Sequence, residues 1–254
     1  MTVNLMEQDI PGVPSADCKS CPHREDRLEG GHCNPGDVCV RAMSGRQIAR
    51  FFNNNPDLAE HYAGDEFWER RAIAVRYLSQ QRLSQMLDDP DEVVRRVLAY
   101  RLPIDQLQPL VHDSDREVRI TVANRIPVDE LEQMVEDDDY MVRQTVAKRL
   151  IRGRLFRMIR DSDREVRKTV ASRLPIESMG LMMNDAAAEV RLVVAERIDE
   201  GSLKGMLNDS DWRVRLMACQ RVSTDALSKM IDDEDQDVRA VVVSRINNKV
   251  SMDR

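Results

Sequence analysis

From about residue 65 onward, hydrophobic and polar positions recur every 24 residues without an insertion. Met86, Leu110, Met134, Met158, Met182, Met206 and Met230 hold one apolar register. Arg71, Arg95, Arg119, Arg143, Arg167, Arg191, Arg215 and Arg239 hold another, and Arg101, Arg125, Arg149, Arg173, Arg197, Arg221 and Arg245 a third. Asp65, Asp89, Asp113, Asp137, Asp161, Asp185, Asp209 and Asp233 open each unit. The unit reads Asp-x-Asp-x-x-Val-Arg-x-x-Val-Ala-x-Arg-Leu-Pro-x-x-x-Leu-x-x-Met-hydrophobic-x. A fixed internal period of roughly 20 to 50 residues marks stacked repeats.

Residues 113–136 show what one unit builds. Val118, Val122 and Ile126, with Thr121 and Ala123 beside them, form an apolar stripe at helical spacing. Ser114 with Glu117, and Ser162 with Glu165, have capping-box spacing, and the aspartates suit the positive end of a helix dipole. Pro103, Pro127 and Pro175 are expected to stop their helices. Leu131, Met134 and Val135 then face inward on a short 3₁₀-like segment, where Pro109 of another copy fits only near the start. The fold class expected is all-α, a solenoid of 24-residue repeats alternating α-helix and short 3₁₀-like helix. A single repeat buries too little to fold alone, so neighbours must cover both of its faces.

The first 45 residues break this order. They hold five of the ten glycines, four of the ten prolines and four of the five cysteines, with no helical or strand period. The organisation expected is a cysteine module over residues 1–45, a degenerate half-repeat or capping segment over 46–64, and the solenoid over 65–254, with 247–254 as a polar, frayed end.

Composition narrows the class. Apolar residues at 42% are too many for a disordered chain, and 4% aromatics fit a thin, renewed core strip better than one large core. No apolar run spans a bilayer, so no membrane partner is expected, and the acidic start Met1–Asp9 is unlike a secretory signal. A cytoplasmic location is expected, where thiols stay reduced and clustered cysteines suggest metal. The net charge of −7 argues against wholesale nucleic-acid binding. No phosphate-binding glycine loop, nucleophile elbow or His-Glu-x-x-His is present, so no catalytic residues are assigned and no enzyme is expected. His61 and His112 read as isolated surface or helix-end residues, and Cys219, in the small apolar register of Ala123, Ala147, Ala171 and Ala195, as core.

The candidate metal ligands are Cys18, Cys21, Cys33 and Cys39, spaced Cys-x₂-Cys-x₁₁-Cys-x₅-Cys. Four thiolates suit one tetrahedral zinc or one [4Fe-4S] cluster, and the spacing alone leaves both open. Gly30, Gly31 and Gly36 would let backbone N–H groups approach the sulfurs. His23 and His32 read as loop residues beside a site that four cysteines already fill.

The Val-Arg-x-x-Val-Ala-x-Arg-Leu-Pro unit behind a four-cysteine module resembles the leucine-rich repeat variant family, over nearly the whole chain. The resemblance implies a right-handed superhelix of alternating α and 3₁₀ helices without β-sheet, and an N-terminal [4Fe-4S] cluster. The Leu-x-x-Leu-x-Leu strand of ordinary leucine-rich repeats is missing.

Two features could bind partners. The Arg119 ladder has a structural reading, guanidinium groups bonded to Asp or carbonyls of adjacent layers, favoured because every layer repeats it. The Asp-x-Asp pairs lack a calcium loop's glycine turn and later Glu, and read as helix caps. Residues 148–168 carry nine basic and three acidic groups, and offer Arg149, Arg152, Arg154, Arg157, Arg160 and Arg164 as partner-binding candidates against the plainer reading of a solvated face. The function expected is an iron–sulfur protein whose repeats bind another protein, with an oxygen- or iron-responsive module. An electron-transfer protein and a nucleic-acid-binding solenoid are the alternatives.

Overall fold

The computed structural model describes residues 17–252, so Met1–Asp9 and the very end of the polar tail lie outside the described residues. Among the described residues there is no β-strand, only an isolated bridge between Asn34 and Val38. The chain divides into two compact units, Met1–Arg125 and Ile126–Arg254. The division falls inside a repeat, where the 24-residue register carries no mark.

The first unit contains α1 (Gly45–Asn54), α2 (Ala59–Tyr62), α3 (Trp68–Ala74), α4 (Gln80–Ser84), α5 (Glu92–Arg101) and α6 (Arg116–Arg125). Helix α1 packs on α3, α3 on α5, and α5 on α6. The second contains α7 (Tyr140–Arg149), α8 (Arg164–Arg173), α9 (Ala188–Arg197), α10 (Glu200–Leu203), α11 (Trp212–Arg221) and α12 (Gln236–Met252). Helices α7 and α8, α8 and α9, α9 and α11, and α11 and α12 are neighbours. Short 3₁₀ segments such as Leu131–Met134, Ile176–Met182 and Thr224–Met230 alternate with the long helices. The stripe is fully buried: Val118, Val122 and Ala123 have no exposure, and the same registers in α7, α8 and α9 match them. Leu131 and Met134 face inward on their 3₁₀ turn as the spacing predicts, and Cys219 is core.

The polar ladders are junctions between layers. Arg95 donates from Nε and Nη2 to both carboxylate oxygens of Asp113 at 2.8 and 2.9 Å, and from Nη1 to the carbonyl of Asp89 at 2.8 Å. Arg71–Asp89, Arg143–Asp161, Arg167–Asp185, Arg191–Asp209 and Arg215–Asp233 repeat the fork. The second ladder bonds carbonyls: Arg173 donates to Ala147 and Leu150, and Arg197 to Ala171 and Leu174. Orphan carbonyls at a helix C-terminus are thus satisfied by the next layer.

One local expectation changes. The N-caps are Asp115 and Asp163, which accept from the N–H groups of Glu117 and Glu165, in place of the Ser114 and Ser162 capping boxes. Ser114 and Ser162 instead accept from Arg95 and Arg143 of the preceding layer, because the Arg–Asp fork has already drawn that turn toward its neighbour. In the Asp113/Asp115 and Asp161/Asp163 pairs the second residue caps, while the first receives the guanidinium. Pro103, Pro127 and Pro175 do follow the ends of α5, α6 and α8, and the same register ends helices that have no proline there. Leu150 turns extended (ψ 146°) before Ile151 just as Leu102 (ψ 145°) does before Pro103. Asp199 and Ser223 likewise stand in the proline register after α9 and α11.

Residues 46–64 form a layer without the ladder. Gln47 stands 24 residues before Arg71 and donates to the carbonyl of Gly36, while Asp65 is paired by Arg70 of its own layer at 3.0 Å. The first layer therefore turns its polar edge to the cysteine module.

Candidate functional site

Cys18 and Cys21 flank a tight turn, with the Cys21 N–H on the Cys18 carbonyl at 3.4 Å. A single π-helical turn follows, Arg24–Leu28, of a kind often found at functional sites. The Arg27 carbonyl accepts the N–H groups of both His32 and Cys33, at 2.8 and 3.2 Å, which brings Cys33 back toward Cys21. This return needs Gly31 at φ 76°, and Gly30 because a Cβ there would lie 2.8 Å from the Asp26 carbonyl. The reciprocal Asn34–Val38 bridge then folds Cys39 beside Cys33, and the Cys39 N–H anchors on the Gln47 carbonyl of α1. Gly36 donates to Asn34 Oδ1, so these glycines serve the turns.

All four cysteines line one pocket, with His23, Arg24, Leu28, Pro35, Val40, Arg41 and Phe51. Cys39 is buried; the other three are partly exposed. No three His, Cys, Asp or Glu among the described residues converge on a point that one ion could fill. Four cysteines lining one pocket suit one zinc or one [4Fe-4S] cluster. Burial, and then the nearby Cys39, Cys21 and Cys18, push the Cys33 thiol up to about 11. Burial also raises Cys39, opposed by the backbone N–H groups of Arg41 and Ala42. Four thiolates around one pocket repel unless positive charge lies among them, so the donor set fits a cationic metal group.

His23 is more than a loop residue. It is buried on the pocket wall, its Nε2 is 2.9 Å from the Tyr62 hydroxyl, and Phe51 and His61 flank its ring. Burial holds its pKa below the usual histidine range. His61 is exposed, at a helix end as expected, but packs edge-on against Tyr62 and is not isolated. His32 and His112 are exposed. Sequence reasoning missed Asn55, which is fully buried and donates to the carbonyls of His32 and Phe51. Its only signal was an Asn just past a helix.

The basic segment does not act as one cluster. Arg149 donates to the Ile126 carbonyl as a member of the second ladder. Arg154 and Arg157 share Glu132, at 3.1 and 3.6 Å, and Arg164 lies against Glu165 at 3.7 Å. Arg152 and Arg160 are exposed.

Fold and site together define an iron–sulfur protein on a helical-repeat scaffold, and comparison with known proteins agrees. Residues 13–61 match the family described as the leucine-rich repeat variant protein FeS4 cluster, and residues 116–139 match the leucine-rich repeat variant. A solved leucine-rich repeat variant "with a novel repetitive protein structural motif" is 53% identical, with a TM-score of 0.87 over 91% of this chain and 99% of that one. The chain belongs to the leucine-rich repeat variant family. The uncharacterized 27.7 kDa protein in the nifB 3′ region of Rhodobacter capsulatus is 39% identical over 87 residues, 34% of this chain, and the match spans 35% of that relative's length. No helix among the described residues is long and apolar enough to cross a membrane.

Proposed function

We propose that this protein is a non-enzymatic interaction scaffold whose cysteine module carries a [4Fe-4S] cluster and responds to oxygen or iron supply in the cytoplasm. The observation that carries the reading is the exposure of the donors: Cys18, Cys21 and Cys33 are reachable from solvent, while Cys39 is fixed on α1. When bound, the cluster would supply one-electron chemistry and the positive charge that four thiolates need. This chain's residues do the rest. The Arg27 carbonyl and the Asn34–Val38 bridge set the cysteine positions, and Asn55 holds the backbone beside Cys33. Gln47, Arg70 and the Arg27–Asp57 pair tie the module to the first helical layers. A module with this few apolar contacts is expected to loosen when its metal group is lost, freeing those ties.

The test is anaerobic purification with iron, sulfide and zinc quantification, followed by air exposure and limited proteolysis. Four iron and four sulfide per chain, with cleavage within residues 17–45 appearing only after air, is the expected result. One zinc without iron overturns the cluster, and unchanged proteolysis after cluster loss overturns the response. A reversible one-electron couple in the intact protein with no oxygen-induced cleavage would favour electron transfer.

A further inference from the structure

The layers of the second unit meet through one recurring face. In each of α7, α8, α9 and α11 it carries an arginine, a small residue four positions on and an aliphatic residue seven positions on, as in Arg191, Ala195 and Ile198. The following layer covers it. Ala147, Ala171, Ala195 and Cys219 have no exposure, and Leu150, Leu174, Ile198 and Val222 have at most 1%. The arginine closes every one of these contacts in the same way. Arg143, Arg167, Arg191 and Arg215 each hold a carbonyl of their own layer through Nη1. That bond aims Nε and Nη2 at the carboxylate of the aspartate 18 residues on.

Helix α12 repeats the face and leaves it open. Arg239, Val243 and Ile246 stand at the same i, i+4 and i+7 positions, on one side of the helix. Arg239 holds the Asp233 carbonyl through Nη1, so its fork has the posture of the others. Its Nε and Nη2 are bonded to no carboxylate among the described residues. Val243 is 46% exposed and Ile246 is partly exposed, in registers that α7, α8, α9 and α11 bury. Helix α12 is also 17 residues long, against ten in those four helices, so Ile246 lies within it and the face runs on past the usual stop.

The covered faces show what the open one accepts, an apolar helix led by an aspartate. A guanidinium takes a carboxylate through two parallel bonds, which fixes register as well as charge. Apolar anchors at i+4 and i+7 then receive the helix that follows. A second copy of this chain is a poor source of that aspartate. Asp161, Asp185, Asp209 and Asp233 already fill forks, and Asp65 is bonded to Arg70. We propose that Arg239, Val243 and Ile246 form the docking face for an aspartate-led amphipathic helix of another protein, stacked on α12 as one layer stacks on the next. This names the partner class of the scaffold proposed above and rests on that reading.

The test uses the full-length, cluster-loaded protein and fluorescence anisotropy. The probe is a labelled peptide of residues 161–182, the layer whose aspartate Arg143 holds, with a control carrying Asp161→Ala. Salt-sensitive binding, about tenfold weaker for the control, is expected. Arg239→Gln should weaken the probe about tenfold and erase the difference between the two peptides. Val243→Glu should weaken both peptides, and Arg160→Gln, at an exposed arginine elsewhere, should change neither by more than about twofold. No binding, equal affinity for both peptides, or unchanged affinity in Arg239→Gln with helical circular dichroism retained overturns the proposal. Sedimentation should give a monomer without peptide; a dimer that Val243→Glu dissociates overturns the proposal in favour of a second copy. Repeating the measurement on Cys18→Ser separates the two readings. Peptide binding without iron leaves the face standing when the cluster reading fails, and full iron without peptide binding does the reverse.

Discussion

The cysteine module and the repeats solve the same problem with opposite means. In the repeats the layers bury valines in the same registers, and Arg71, Arg95, Arg143, Arg167, Arg191 and Arg215 each fork onto an Asp of the following layer, so order comes from repetition. The module buries little beyond His23, Cys39, Val40 and Ala42, and its path depends on turns, one left-handed glycine and bonds to α1. The difference teaches where a perturbation spreads. Loss of one fork is shared among similar layers, whereas loss of one module ligand removes the reason for the whole loop to hold its shape.

The largest effect should follow from the ligands. Serine at Cys18, Cys21, Cys33 or Cys39 is expected to abolish iron binding and open residues 17–44 to proteolysis while helical circular dichroism is retained. Cys219→Ser, in the core with a thiol pushed up to about 11 by burial, should keep full iron. Iron retained in any of the first four variants would break the comparison.

Next in size is a fork. Arg143 and Asp161 are 12% and 6% exposed, so Asp161→Ala leaves a nearly buried cation unpaired. A loss of about 3 kcal/mol in urea unfolding is expected, with iron content unchanged. A smaller gain should come from Ala187. It occupies the capping register with φ −90° and ψ 125°, close to Asp163 at −90° and 131°, but has no side-chain cap. Ala187→Asp should therefore stabilise by about 1 kcal/mol, and a destabilised variant would show that the register is not equivalent in every layer.

The smallest effect is electrostatic. Asp211 is held at about 2, first by its bond to Arg213, against an ordinary value of 3.8. A lowered carboxylate adds stability above its ordinary value and loses it as pH falls through the lowered one. Asp211→Asn should be less stable than the parent at neutral pH by under about 1 kcal/mol, since the pair is near the surface. The gap should close between about pH 4 and pH 2 in urea midpoints. A gap that is constant with pH would assign the bond to capping alone.

Much of this was legible in the chain. Val118, Val122 and Leu131 announced their burial by spacing, and the four cysteines were visible as a donor set. Asn55 and the wall position of His23 were not, because each works through a residue far away in sequence, His32 for one and Tyr62 for the other. The six candidate arginines of the basic segment looked alike for the same reason. Which of them found an acceptor depended on Glu132, Glu165 and the Ile126 carbonyl.

The sequence by itself determined the period, the apolar strip, the all-α class and the four thiolates, since these follow from residue type at fixed spacing. Tertiary structure alone decided the partners of the charged groups. It set Asp113 and Asp161 as fork acceptors, ended α7 without a proline, and seated Arg173 and Arg197 on main-chain carbonyls of the preceding layer. The physical reason is that an apolar residue is stabilised by burial against any apolar neighbour, whereas a guanidinium is stabilised only by acceptors in the right place. That place exists only once the layers have stacked.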